Sequence, residues 1–284
     1  MEWIELAPRH KYGLPIATPF LPAAGTIGYS DEAWDWLDYR LLGALITHPV
    51  SWHPRSAAAP PRVVTRGTGF IIHTGLPNPG LPAVIRHHQE AWKRLKLPVI
   101  VHLIATTPEE TARACETLTQ VTSVAGVELG LADGTRPAQA LAHLAAAQAS
   151  GLPVIVRVPF RQVDDLAPAL ARAGADALTL TAPPRGLLPT GRGVHLRGRL
   201  FDPALLPLTL QTVAYWASRL EVPILACGGI SSLEDAQACL EVGAVAVQGD
   251  ALLWRDSRWL GGGQPGAPPT APSAPESQES GVNP

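Results

Sequence analysis

Eight short apolar runs, with helical patterns between most of them, are the feature that most constrains how this chain can fold. The runs are rich in Val, Ile and Leu, and they lie at 19–24, 42–47, 97–103, 125–130, 152–158, 175–181, 222–228 and 243–249. Near-continuous apolar runs are typical of parallel strands that are buried on both faces. Eight strands joined by crossover helices predict an α/β fold of the closed (β/α)8 barrel type, with an open α/β sheet as the alternative.

Amphipathic patterns predict the helices of this barrel at 81–95, 108–121, 164–174, 206–220 and 232–243. Ahead of the first barrel strand, "WIELAP" (3–8) and "LPIAT" (14–18) predict a short hairpin. The interval 48–96 is too long for a simple crossover and is rich in Pro and Gly before its helix. Extended loops at the carboxyl ends of barrel strands carry function, so we expect part of the site there.

The length and the composition of the two ends set the domain boundaries. A barrel of eight strand–helix units takes about 250 residues, so we assign residues 1–260 to one barrel domain. Residues 261–284, "GGGQPGAPPTAPSAPESQESGVNP", contain almost nothing to bury. A segment of this composition does not offset its own ordering entropy, so we predict a disordered tail.

Charge and composition exclude several classes of partner. A formal net charge of -2 gives no electrostatic footprint for nucleic acid, and no apolar run approaches the roughly 18 residues of a membrane span. The N-terminus carries acidic residues and no apolar signal core. The three cysteines, Cys115, Cys227 and Cys239, have neither metal-ligand nor disulfide spacing. We therefore expect a cytoplasmic protein with reduced thiols and a small-molecule substrate. The sequence leaves open whether the chain forms a homodimer.

A glycine turn follows the seventh predicted strand, in "ACGGISSLEDA" (226–236). Gly228 and Gly229 turn the chain into a helix, and Ser231 and Glu234 have the spacing of a capping box. Glycines let a ligand approach the backbone, and free amides at a helix start favour an anion. The turn is therefore either a phosphate site or a tight strand–helix connection with an ordinary cap.

The eighth predicted strand ends at Gly249 and is followed by Asp250. Glycine-bearing turns after strands seven and eight form the usual phosphate site of such barrels, which favours the first interpretation. A carboxylate at residue 250 would repel a phosphate unless the side chain turns away to cap the last helix.

Several segments, in this order and at these separations, resemble the class 1 dihydroorotate dehydrogenases. They include "LPAAGTIGY" (21–29), "LGALITHPVSWHPRSAAAPPRV" (42–63), "GLPNPG" (75–80), "VELG" (127–130), "GADALTLT" (174–181) and "CGGISSLEDA" (227–236). The resemblance covers roughly residues 4–255. It implies a (β/α)8 barrel with FMN at the carboxyl ends of the strands. It also implies oxidation of dihydroorotate to orotate in pyrimidine biosynthesis, with a Cys or Ser base that removes the second proton.

The resemblance assigns contacts to the cofactor and to the substrate. The cofactor-binding residues it implies are Ala23, Ala24, Gly25, Thr47, His48, Arg157, Gly198, Gly228, Gly229 and Gly249. Among them, Gly198 matches the glycine of a loop over the FMN phosphate. The substrate-binding residues it implies are His73 and Asn78.

Several polar positions depart from the family pattern. His48 and Arg157 stand where the family has lysines, and His73 and Ala182 stand where it has asparagines. Arg157 keeps a positive charge that would stabilise the N1 region of a reduced flavin, although an arginine fork is bulkier than a lysine. Because a site built for hydrogen bonds loses large factors when their partners are removed, we expect weak or absent turnover of dihydroorotate.

The loop after the fourth strand departs furthest, since "ELGLADGT" (128–135) replaces the family's "ELNISCPN". Gly130 takes the place of the first Asn, and Asp133 falls near the position of the Cys base. A carboxylate can act as a base when burial raises its pKa, so Asp133 and Arg157 are the candidate catalytic residues. The alternative is a turn in which Asp133 bonds its own backbone, and the Asp-Gly pair favours that alternative.

Three functions from different classes remain open. The first is an FMN-dependent oxidoreductase of dihydroorotate dehydrogenase type, acting on dihydroorotate or a related CH–CH substrate. The second is a non-catalytic barrel that binds flavin or another phospholigand as a subunit or sensor. The third is a zinc hydrolase that uses His48, His73 and His102, with His53 nearby. Because no motif fixes their geometry, we assign no metal ligands and expect these histidines to line an altered substrate pocket instead.

Overall fold

The computed structural model of this protein describes residues 3–30, 32, 37–191 and 193–257. Its strands are β1 (Ile4–Glu5), β2 (Pro15–Ile16), β3 (Phe20–Pro22), β4 (Leu45–Ile46), β5 (Val63–Arg66), β6 (Gly69–Ile72), β7 (Val99–Ile104), β8 (Val124–Gly130), β9 (Val154–Pro159), β10 (Ala177–Ala182), β11 (Arg185–Gly191), β12 (Val194–Phe201), β13 (Ile224–Cys227) and β14 (Ala246–Gly249). Its α-helices are α1 (Leu81–Arg94), α2 (Pro108–Leu118), α3 (Pro137–Gln148), α4 (Val163–Arg172), α5 (Leu206–Ala217) and α6 (Leu233–Glu241).

The eight predicted apolar runs form one parallel sheet in the order β3-β14-β13-β10-β9-β8-β7-β4. The two end strands approach each other, and the amide of Gly43, just before β4, donates to the carbonyl of Phe20 in β3 at 2.9 Å. The sheet is therefore a nearly closed barrel, and the predicted (β/α)8 fold is confirmed.

The predicted hairpin is also present, with β1 antiparallel to β2. Its apolar side chains, including Leu6, Leu14 and Ile16, are fully buried against Ile100, Ile155 and other side chains inside the barrel. A larger apolar cluster lies between the barrel wall and the surrounding helices. The hairpin thus plugs the amino-terminal end of the barrel, so the carboxyl ends of the strands form the open mouth.

A four-stranded antiparallel sheet of order β11-β12-β6-β5, which the sequence analysis did not predict, stands beside the mouth. Strands β5 and β6 come from the long interval 48–96, and β11 and β12 follow barrel strand β10. Phe70 of β6 stacks on Phe201 of β12 with ring centroids 5.4 Å apart. Both barrel extensions therefore fold onto each other and build one wall of the mouth.

Among the described residues, none of the helices has the length and apolar character that a membrane crossing requires. The three cysteines are buried and unpaired. The predicted tail, 261–284, lies outside the described residues, so the boundary at 260 stays a prediction.

Candidate functional site

Strand periodicity places a layer of polar side chains inside the barrel, just below its mouth. Alternate residues of a strand share a face, so each residue two positions beyond an apolar interior residue also points inward. In β7 this relation links Ile100 to His102, and in β9 it links Ile155 to Arg157. The polar interior layer comprises His102, Glu128, Arg157, Thr179, Cys227 and Gln248.

Glu128 is the centre of this layer and is completely buried. Its Oε2 atom lies 2.5 Å from His102 Nδ1, and its Oε1 atom accepts from Thr179 Oγ1 at 2.7 Å and from Gln248 Nε2 at 2.6 Å. Burial alone would raise the pKa of Glu128, but the hydrogen bond and charge of His102, the charge of Arg157 and the bond from Gln248 outweigh it and lower the pKa to about 2. Glu128 is therefore a carboxylate that holds three neighbours in place.

Arg157 connects this carboxylate to the far side of the barrel. Its guanidinium donates to Gln248 Oε1 at 3.2 Å and to Cys227 Sγ at 3.4 Å, and Nη1 lies 3.9 Å from Glu128 Oε2. Its side chain is 16% exposed whereas that of Glu128 is not exposed, so the positive charge is the part of the pair that reaches the mouth. Burial raises the pKa of the Cys227 thiol to about 12, which leaves it a neutral acceptor.

His102 occupies the space beside Gly130. A Cβ atom on Gly130 would lie 2.3 Å from His102 Nε2, so no larger residue fits there while His102 keeps this position. A carboxylate only accepts hydrogen bonds, so the Nδ1 atom that faces Glu128 carries the proton. The other ring nitrogen, Nε2, lies beside Gly130 at the end of β8.

The histidines of the zinc hypothesis have different bonding partners, although His48 and His102 lie near each other: burial and then the charge of His102 lower the pKa of His48. His102 is held by Glu128, His53 is exposed and lies 3.7 Å from Glu110, and His48 packs edge-on against Tyr29. The backbone amide of His73 bonds the Arg62 carbonyl across the β5–β6 hairpin end. In the part of the chain that the structure describes, no group of three His, Cys, Asp or Glu side chains could hold a metal ion.

Asp133 lies at the mouth, between the loop after β8 and the antiparallel sheet. Its carboxylate forms ion pairs with Arg185 Nε at 3.0 Å and Arg199 Nη2 at 2.9 Å. A turn is present here, since the amide of Thr135 donates to the carbonyl of Ala132. The side chain of Asp133, however, bonds these two arginines, whereas the sequence-based alternative had it bonding its own backbone.

The predicted cofactor residues at the ends of β3, β4 and β14 lie together. The amide of Ala23 donates to the carbonyl of Gly249 at 2.8 Å. Gly25 faces His48 and Pro49, and Thr47 Oγ1 accepts from the amide of His102 at 3.1 Å. Ala24 packs partly buried beside the interior apolar cluster. Small side chains thus border the mouth on this side.

Three predicted residues lie in the antiparallel sheet and the segment that follows it. Gly198, expected in a loop, is instead in strand β12, paired with Gly186, and a Cβ there would lie 2.2 Å from the carbonyl oxygen of Ile72. Asn78 is buried and accepts from the amides of Ser51 and Gly80, which braces the segment before α1. His73 follows β6 directly.

The glycine turn after β13 has the conformation that its residues allow. Gly228 and Gly229 have φ values of 106° and 77°, and a Cβ on Gly229 would lie 2.3 Å from the amide nitrogen of Leu206. The cap of α6 is Ser232, which accepts from the amide of Asp235, so the cap lies one residue later than the Ser231–Glu234 pair that spacing predicted.

Sequence reasoning missed most of the polar interior layer. Glu128, Thr179, Cys227 and Gln248 were not singled out, and His102 was considered only as a metal ligand or as part of an altered substrate pocket. The signal was present, because each is a polar residue within an apolar strand, two positions after an inward apolar residue.

Comparison with known proteins adds a second line of evidence. A family model described as dihydroorotate dehydrogenase matches residues 9–146. The chain is 34% identical over 254 residues to a protein of Pelobacter propionicus named dihydroorotate dehydrogenase B (NAD(+)), catalytic subunit, covering 83% of this chain and 84% of that protein. Proteins of the same name from Geotalea uraniireducens and Desulforudis audaxviator are each 33% identical, over 83% of this chain and 83% and 82% of their own lengths.

Proposed function

Because this chain belongs to the dihydroorotate dehydrogenase family, whose members are flavin-dependent oxidoreductases, we propose that it is an FMN-dependent oxidoreductase that acts on a small CH–CH substrate of the dihydroorotate type. The observation that supports this most directly is the polar interior layer, in which Arg157 presents its charge at the barrel mouth and is held there by Gln248 and Glu128. Barrel enzymes carry their chemistry at this end of the strands.

The residues around the mouth fit a flavin ring. Ala23, Ala24 and Gly25 leave room on one side, and Arg157 offers a charged group. Thr47 is buried, and its hydroxyl already bonds the backbone of His48 and His102, so it would line the ring from below. Bound FMN would supply the hydride-accepting chemistry that no protein side chain offers. The protein itself would bind the ring, place the charge of Arg157 beside it and exclude water.

The phosphate end of the cofactor fits the glycine turns after β13 and β14. A Cβ on Gly228 would lie 2.5 Å from the carbonyl oxygen of Thr181, and the corresponding atom on Gly229 would meet Leu206. A side chain at either position would clash with this backbone, and amides at the start of a helix favour an anion. We propose that the phosphate is bound by Gly228, Gly229 and Gly249. Gly198 lies within strand β12, so it would affect the phosphate only through the position of that strand.

Two side chains are candidates for the group that takes a proton from the substrate. Asp133 remains the first, and to act it must release a lone pair from its ion pairs with Arg185 and Arg199. His102 is the second, because its Nε2 atom has no hydrogen-bond partner among the described residues while Glu128 fixes its ring. His73 and Asn78 remain the proposed substrate contacts, although Asn78 already braces its own segment.

The test is anaerobic mixing of the purified flavin-loaded protein with dihydroorotate, followed by the visible absorbance of the flavin. We expect slow or absent bleaching, because His102 fills the space at Gly130 and Ala182 offers no hydrogen bond. If bleaching occurs, Asp133→Asn or His102→Asn should suppress it by roughly 100-fold or more, the range of general-base contributions. Asp165→Asn on α4 and His143→Asn on α3, where the ring bonds Thr111 of α2, are matched controls outside the mouth.

The second candidate function is a non-catalytic barrel that binds flavin or another phospholigand as a subunit or sensor. It is favoured by the ion pairs of Asp133, which suit a structural role for the loop after β8. A protein that binds FMN tightly but whose flavin is not bleached by dihydroorotate or related CH–CH substrates would support this candidate. A protein that binds no flavin would contradict the first function, and one that binds neither flavin nor another phospholigand would contradict both.

For the assembly we propose either a homodimer or a complex with a second chain, since the relatives are named as catalytic subunits. Light scattering of the purified chain separates the monomer from the homodimer. Three unpaired thiols suit a reducing compartment, so the cytoplasm remains the proposed location.

A further inference from the structure

Asp250 lies where the barrel's phosphate site is expected. It follows β14 directly, and because β14 pairs with β13, the glycine turn after β13 lies beside it. Turns after strands seven and eight are the frequent phosphate site of (β/α)8 barrels. A carboxylate at this place is unexpected, because a phosphate and a carboxylate repel each other, most strongly away from water.

The side chain of Asp250 caps the last short helix, as the sequence analysis allowed, and it does so while it stays buried. It is 1% exposed, and its Oδ1 atom accepts from the amide of Leu252 at 2.9 Å, which caps the short helix that follows. The amide of Gly229 also faces this carboxylate and favours its charged form. The other oxygen, Oδ2, is buried and has no hydrogen-bond partner among the described residues. The carboxylate thus already faces two of the backbone amides at these turns, those of Leu252 and Gly229, and one of its oxygens has no hydrogen-bond partner among the described residues.

The charged and titratable groups that face Asp250 are few. Arg157 faces it from β9 and lowers its pKa, and Cys227 faces it from β13 as a neutral thiol. Glu128 from β8 competes for the same arginine. Burial outweighs Arg157 and the two amides and raises the pKa of Asp250 to about 6. The group can therefore gain a proton under ordinary conditions.

We propose that Asp250 shares the phosphate subsite with FMN, so that the FMN phosphate binds together with one proton, whereas a flavin without phosphate binds without it. The proton comes from solvent and is carried on Oδ2, which then donates to a phosphate oxygen. A protonated carboxyl group satisfies its buried oxygen and removes the repulsion in one step. This inference rests on the proposed binding of FMN, and it makes Asp250 a determinant of selectivity between phosphorylated and unphosphorylated flavin.

The test compares FMN with riboflavin, by quenching of flavin fluorescence, at about pH 5.5 and about pH 8. Because one proton is taken up, the affinity of the full chain for FMN should fall roughly tenfold per pH unit above about pH 6. Riboflavin affinity should change little. Asp250→Asn and Asp250→Thr keep an oxygen that can cap Leu252, and both should bind FMN at least tenfold more tightly than the wild type at the higher pH. The phosphate's own titration near pH 6 is shared by all variants, so Asp250→Asn isolates the carboxylate.

Asp38→Asn, at the cap of another short helix, is the matched control and should behave as the wild type. An FMN affinity that is the same at both values of pH, or the same in Asp250→Asn and the wild type, would overturn the proposal. If neither flavin binds to the wild type or to either Asp250 variant, the proposed function fails as well. If riboflavin binds but the FMN affinity does not depend on pH as expected, this inference fails while the proposed binding of flavin stands.

Discussion

The Nε2 atom of His102 fills the space in which a side chain on Gly130 would have to begin, since a Cβ there would lie 2.3 Å from it. The imidazole cannot easily retreat, because Nδ1 is held at 2.5 Å by the buried carboxylate of Glu128. The two positions are therefore coupled: a histidine in β7 requires a glycine at the end of β8. In the family that this chain resembles, the second position carries an asparagine, so the exchange rebuilds the mouth.

Gly130→Ala tests this coupling. We expect it to lower the free energy of unfolding by about 1–3 kcal/mol, the usual range for forcing an extra group into a packed interior. The combined variant His102→Ala/Gly130→Ala should be less destabilised than the sum of the two single changes, because the new methyl group then finds space. Urea denaturation of the four proteins measures the coupling, and strictly additive changes would contradict it.

Glu128→Gln tests whether the buried carboxylate organises the polar interior layer. The amide cannot accept from all of its present neighbours and leaves Arg157 without its counter-charge, so we expect a loss of about 3–5 kcal/mol. The folded-state pKa of Glu128 is lowered to about 2, below the unfolded value of roughly 4.3. The stability that Glu128 contributes to the folded protein is therefore present above about pH 4.3 and is lost as the pH falls towards 2.

Denaturation curves of the wild type and Glu128→Gln across that acidic range provide the measurement. The difference in the free energy of unfolding between the two proteins should become smaller as the pH falls. Glu110→Gln, a partly exposed glutamate beside His53, is the control and should change stability by less than about 1 kcal/mol. A gap that stays constant with pH would show that the loss comes from packing rather than from charge.

The barrel could be predicted from the sequence because buried parallel strands leave a local signal, a run of Val, Ile and Leu. The wall of the mouth could not. In β11, exposed residues alternate with partly exposed ones, and β12 contains Arg197 and Arg199 beside Gly198. Their stability comes from pairing with each other and with β6, which is more than 100 residues earlier in the chain, so the local pattern carried little information.

The candidate site was predictable only in part, for a related physical reason. The position of Arg157 at the end of an apolar run marks it as facing the mouth. The roles of Glu128 and Gln248 depend on contacts across the barrel, between residues 120 positions apart. Asp133 shows the same limit, since its arginine partners lie 52 and 66 positions away.

Asp133→Ala tests the contact between the loop after β8 and the antiparallel sheet. The carboxylate and its two arginines are partly exposed, so the ion pairs are screened by solvent, and we expect a loss of no more than about 1 kcal/mol. The local effect should be larger: hydrogen exchange in residues 131–136 should accelerate. Arg185→Ala should reproduce part of that acceleration, and unchanged exchange in both variants would argue against a structural role for these ion pairs.

The last prediction concerns stability and the protonation of Asp250. Burial raises its pKa to about 6 in the folded chain, above the value of roughly 3.9 expected after unfolding. A carboxyl group shifted in this direction lowers stability where it is charged, so the wild type should gain stability as the pH falls from about 7 to about 4. The difference between these two pKa values corresponds to a change in the free energy of unfolding of up to roughly 3 kcal/mol. Asp250→Asn removes the charge and keeps an oxygen for the amide of Leu252, so it should be more stable than the wild type near pH 8 and should lose that advantage near pH 4.

Thermal unfolding of both proteins without flavin, across this range, measures the difference. Parallel profiles would show that the carboxylate finds a partner or water at Oδ2, and the proton-coupled binding proposed above would then lose its physical basis.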